Sequence, residues 1–199
     1  MKEERDLLPV LEKRFEQMES VRQDLLNRLG GFSEAQLNFK PGPKQWSMLE
    51  VVEHLVAAEE MTAESLLGTL PELFQAGKPT LASRLKFGLL ILIMRSPLRV
   101  PAPTRAVMPD PERSRTLSEL TQRWEAARNQ FRILLDEFTA EKLPYRVFRH
   151  PVTGPLNIVR TLGFLHEHLK HHLRQFRRIE QAEGFPQGNP KETNPKSQK

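Results

Sequence analysis

Apolar residues that recur at intervals of three and four, over four long stretches, are what most limits the fold open to this chain. From Glu3 to Leu29 they are Leu7, Leu8, Leu11, Phe15, Met18, Val21, Leu25 and Leu29, and Gly30-Gly31 ends the pattern. That spacing places one apolar stripe on a helix, which is stable only when the stripe is buried. A second stripe, Val51, Leu55, Ala58 and Met61 or Thr62, follows a serine four positions before Val51. Ser47-Met48-Leu49-Glu50 has the form of a capping box, with Trp46 placed for a hydrophobic staple, and predicts a helix from there to about Leu67. A third helix, Leu117 to Phe138, carries Leu120, Trp124, Ala127, Phe131, Leu134, Leu135 and Phe138, with Thr116 or Ser118 as its cap. A fourth starts near Pro155 and continues to about Glu183. Strand-like alternation is missing, and the connection 139–154 reads as an exposed loop that includes His150. The expected fold is all-α, a four-helix bundle with one long crossover between the second and third helices.

That crossover, about residues 70–116, is unlike the rest. Leu85 to Met94 is strongly apolar but far short of the roughly 20 residues that span a bilayer. A proline-rich run follows it. The expected arrangement is a short extra apolar helix and then an extended covering loop. The helix has three readings: burial in the bundle or in a homodimer, contact with a membrane surface, or a lid over a substrate cavity. Between Arg84 and Arg105 there are five basic residues and no acid. Arg84, Lys86, Arg95 and Arg99 are therefore candidates for a rim that draws in an anionic substrate, with a solvated surface as the plain alternative. Residues 1–183 read as one domain, and 184–199, rich in Pro, Gly, Asn and Lys, as a disordered polar tail. The charged N-terminus has no secretory pattern, so a cytoplasmic location is expected.

Four of the six histidines fall between Gly163 and Phe176. His168 and His172 are four apart and share the apolar stripe of Leu165, Leu169, Phe176 and Ile179, whereas His166 and His171 point away from it. His54 lies on the stripe of the second helix. Three inward imidazoles from two facing helices make half-open coordination for a divalent ion. Gln175, one turn beyond His172, is placed to orient a ligand or a water there. The chain has no cysteine, so neither thiolate ligands nor a cysteine nucleophile is available. His166-Glu167 does not continue as a zincin motif, because position 170 is lysine. No recognition helix, aromatic stacking platform or glycine-rich phosphate loop points to nucleic acid.

Trp46-Ser47, Glu50, His54-Leu55 and Glu59, followed far downstream by His168-x-x-His171-His172-x-x-Gln175, resemble the DinB/YfiT-like superfamily over roughly residues 5–182. The resemblance implies a four-helix bundle with a divalent metal held by His54, His168 and His172. It also implies an enzyme of the thiol-dependent transferase kind, with bacillithiol, mycothiol or glutathione as cosubstrate. The insertion 70–116 and the tail beyond Gly184 depart from that pattern. The expected function is a metal-dependent S-transferase or hydrolase acting on a small molecule, with a metal-bound thiolate or water as nucleophile. Imidazole suits zinc, nickel, iron and copper, with zinc or nickel expected. The rival reading is a non-catalytic helical scaffold that pairs or touches a membrane through residues 85–94.

Overall fold

The computed structural model describes residues 8–96, 107–109 and 115–187. The chain is mostly helical, with helices α1 (Pro9–Gly30), α2 (Glu34–Asn38), α3 (Met48–Thr69), α4 (Leu81–Arg95), α5 (Leu117–Leu135) and α6 (Ile158–Glu180). Two short strands, β1 (Arg146–His150) and β2 (Gly154–Asn157), precede α6. Along its length α1 packs on α6 and α3 on α5, while α3 also meets α6 and α1 meets α5.

Local chemistry sets the helix ends. Pro9 begins α1 at its first turn, where its missing N–H costs nothing, so the helix starts later than the expected Glu3. Residues 1–7 lie outside the described residues. Capping boxes open α3 at Ser47 and Glu50 and α5 at Thr116 and Glu119. In the first, Ser47 Oγ accepts from the Glu50 N–H at 3.3 Å and the Ser47 N–H donates to Glu50 Oε2 at 2.8 Å. A third box, Ser33 with Gln36, makes the short helix α2 between α1 and α3.

The connection 139–154 is not the exposed loop the sequence suggested. It contains most of an antiparallel hairpin, in which Phe148 faces Leu156 and His150 faces Gly154. Gly154 has φ +77°, the left-handed conformation that closes a three-residue hairpin loop. The register slips between Arg146 and Phe148, and this bulge lets Val147 and Phe148 both be buried. Pro155 belongs to β2, and α6 starts at Ile158 behind Asn157, whose side chain accepts from the Arg160 N–H.

The core has two apolar regions. One gathers Leu11, Met18, Phe131, Phe148, Leu162 and Phe164, and the other Leu25, Met48, Val52, Leu55, Trp124 and Phe176. Near their junction, buried Arg128 meets Glu59 through Nε at 2.7 Å and through a second nitrogen at 2.9 Å. Arg22 reaches from α1 to Glu125 on α5 at 2.8 Å.

The apolar helix of the crossover, α4, lies on α6 and β2 and buries Ser83, Leu90 and Met94. Its opposite face leaves Leu81, Leu85, Leu89 and Leu92 exposed. Its C-terminal end is held by α6, where Arg174 donates to the carbonyls of Met94 and Ser96. The crossover is tied to α3 farther on, by Arg115 Nε against Glu53 Oε2 at 2.8 Å. Most of the expected covering loop lies outside the described residues. The expected tail lies outside them from residue 188, but its first part does not dangle. Phe185 packs edge-on to Phe32 and Phe39, and Gln36 donates to the Pro186 carbonyl. Among the described residues no helix is long and apolar enough to cross a membrane.

Candidate metal centre

His54 projects from the middle of α3, and His168 and His172 from successive turns of α6. Their Nε2 atoms converge. His168 Nε2 stands 3.0 Å from that of His54 and 3.1 Å from that of His172. Two nitrogens that each bind one zinc ion at 2.0–2.1 Å with a tetrahedral angle are about 3.3 Å apart, close to this spacing.

The other side of two rings fixes their tautomers. His54 Nδ1 is 2.7 Å from the Val107 carbonyl, and His172 Nδ1 is 2.7 Å from Gln175 Oε1. Carbonyl oxygens only accept, so both Nδ1 atoms carry the proton and both Nε2 atoms present lone pairs. A single N–H on His168 can satisfy one of those lone pairs and not both. Two lone-pair donors anchored from behind by carbonyl oxygens, joined by a third imidazole that offers its own lone pair there in the Nδ1–H tautomer, are the donor chemistry of a divalent-ion site.

The protonation states agree. Burial holds His54 below the ordinary histidine range, against a raising effect of the Val107 hydrogen bond. His168 and His172 are held well below it, first by burial and then by neighbouring histidines. All three are neutral imidazoles at neutral pH, the form that ligates. Among the described residues this trio is the group of histidine and acidic side chains close enough to share an ion.

The trio opens on a cavity of about 410 Å³. Leu90, Met94, Phe148 and Phe164 give it apolar walls, and Trp46 closes one side with its ring 5.1 Å from that of His54. Three of the four basic residues expected at its rim are elsewhere. Arg84, Lys86 and Arg95 are exposed on α4 and do not line it, and Arg95 is paired with Glu167. The reason is the rotation of α4, whose inward face is Ser83, Leu90 and Met94. Arg99 lies outside the described residues. Among the described lining residues the cations are Lys44 and Arg178.

Two further histidines belong to the cavity. His150, expected to be exposed, is 4% accessible, because the hairpin turns it against Phe164. His171, expected to face away, is buried because α4 covers that side of α6, and its Nδ1 meets the Met94 carbonyl at 3.0 Å. Alternation in Val147-Phe148-Arg149-His150 ahead of Val152-Thr153-Gly154 was the available signal for a hairpin, although the bulge spoils its phase. His166 remains outside the site.

The model of the DinB superfamily matches residues 17–176, and the chain belongs to that family. It is similar to the uncharacterized protein YuaE of Bacillus subtilis (strain 168), with 26% identity over 167 residues, covering 81% of this chain and 93% of the relative. No solved structure matches it.

Proposed function

We propose that this protein is a divalent-metal-dependent enzyme of the DinB kind, a thiol-dependent transferase or hydrolase, built on a four-helix bundle of α1, α3, α5 and α6. The observation that carries the reading is the convergence of three Nε2 atoms at the wall of a largely apolar cavity. His54, His168 and His172 hold the ion, with zinc or nickel fitting a set of neutral imidazoles. An ion in such a site supplies Lewis acidity toward an oxygen or sulfur donor, which yields a nucleophile at neutral pH in a chain without cysteine. The protein's part is orientation and exclusion of water. The Val107 carbonyl and the Gln175 side chain lock the rings of His54 and His172, so that little reorganisation accompanies ligand binding. Phe148, Phe164, Leu90 and Met94 give the chamber an apolar side, which lowers the local dielectric beside the trio and strengthens electrostatic interactions there. A small-molecule substrate and a low-molecular-weight thiol suit a chamber of this size.

Elemental analysis of protein purified without a histidine tag is expected to find close to one divalent ion per chain. His168→Ala removes the nitrogen nearest to the other two and is expected to lose that ion while keeping the helical circular dichroism of the parent. Full metal content in the variant would reject the assignment.

A further inference from the structure

His150 is a buried polar group of the cavity wall that the metal reading leaves unused. Its Nδ1 accepts the backbone N–H groups of Val152 at 3.1 Å and Thr153 at 3.2 Å, both in the hairpin loop. A neutral imidazole that accepts at one nitrogen carries its proton on the other, so Nε2 is an N–H donor. Burial supports the neutral form by pushing the group down to about 4. The side chain is 4% accessible and lines the cavity, and Nε2 has no hydrogen-bond partner among the described residues. The ring stands edge-on to Phe164 at 4.5 Å, and Phe164 is stacked on His168 at 5.3 Å. The donor is therefore one aromatic ring away from the three-histidine set.

The remaining wall narrows the kind of occupant. Phe148, Phe164, Met61, Leu90 and Met94 offer apolar surface, Lys44 and Arg178 are cationic, and no aspartate or glutamate is among the described lining residues. An N–H at the surface of a largely apolar chamber, with no protein acceptor among the described residues, is a place where a ligand oxygen can accept a directed bond.

We infer that the cavity takes a substrate with an apolar body that presents a carbonyl or carboxylate oxygen to the Nε2–H of His150, beside the three histidines. The inference rests on the reading of this cavity as the substrate site and adds the substrate's class. It makes His150 a binding residue, held in register by the hairpin loop, and it disfavours amines, which bring a cation and no acceptor.

Three probes of matched shape test it on the full-length chain freed of metal with EDTA: acetophenone, α-methylstyrene (a methylene in place of the oxygen) and 1-phenylethylamine. Dissociation constants come from NMR titration. His150→Phe is expected to weaken acetophenone about fivefold and α-methylstyrene less than twofold, the size of one hydrogen bond. The amine is expected to bind at least about tenfold more weakly than the ketone to the parent chain. A measurement that needs no variant is the imidazole ¹⁵N–¹H spectrum of the parent, in which the His150 Nε2–H signal should move with acetophenone and stay in place with α-methylstyrene. Equal weakening of ketone and olefin by the substitution, an unmoved Nε2–H signal at saturating ketone, an amine that binds as well as the ketone, or no ketone binding would each overturn the inference. Metal content, measured separately, reports on the metal reading alone. A chain with one ion and no His150 effect loses only the present inference, and a chain with the His150 effect and no ion loses only the metal assignment.

Discussion

Gln175→Leu is the sharpest test of how the histidine trio is held. In the parent the Oε1 atom accepts a hydrogen bond from the Nδ1–H of His172 at 2.7 Å. Leucine has nearly the same bulk and no acceptor, so the helix and its packing survive while the bond is lost. Two effects follow. An N–H on a side chain only 8% accessible loses its partner, which costs about 1–3 kcal/mol of folding stability. For a domain of this size that is a fall in Tm of about 2–4 °C per kcal/mol. The second effect concerns binding. The ring of His172 is freed to turn about its side-chain bonds, and its nitrogen becomes less basic, so metal affinity is expected to fall about 10–100-fold, or about 1.4–2.8 kcal/mol. Competition with a chromophoric chelator measures this directly. Gln175→Glu keeps an acceptor at the same reach and strengthens it with charge, so affinity should return to the parent value or exceed it. A leucine variant that binds metal within threefold of the parent, while its Tm falls as expected, would refute the claim that the Gln175 bond orients a ligand.

Arg128→Met leaves the Glu59 carboxylate buried without its partner and is expected to cost about 3–5 kcal/mol in urea unfolding, with much of it recovered in Arg128→Met/Glu59→Leu. Stability should also depend on acid through His150. Its folded pKa, about 4, lies below the unfolded value near 6.5, so below pH 6.5 the unfolded chain binds a proton that the folded chain refuses. The contribution is present above pH 6.5 and is lost as pH falls toward 4, by about 3 kcal/mol in all. Unfolding curves between pH 7 and pH 4 should be flatter for His150→Phe, and parallel curves would count against the buried neutral ring.

The long helices and the trio were legible because both depend on one period. An apolar stripe and a pair of histidines four apart share a face whatever packs against it, and Ser47 with Glu50 marked the start of α3 by chemistry confined to four residues. His150 was harder to read for the opposite reason. Its burial depends on a hairpin whose bulge breaks the alternation, and on Phe164, a residue of the next helix. His171 was misplaced because a stripe predicts burial against one neighbour, and α6 has another in α4, which also buries Glu167 against Arg95. The basic residues of α4 were sited by charge alone. Charge does not reveal the rotation of a helix, and Leu90 with Met94 settled it in the other sense.

The parts that hold a ligand atom and the parts that shape the space around it arise from different kinds of backbone. Two of the three imidazoles ride on α6 and the third on α3, so one added residue between Phe164 and His168 would swing the pair by about 100° and dissolve the set. His150, at the end of β1, and Val107, in the crossover, sit outside that helical register. Such a layout lets what enters the chamber be changed by editing segments outside α3 and α6, while the three imidazoles stay locked in helical register.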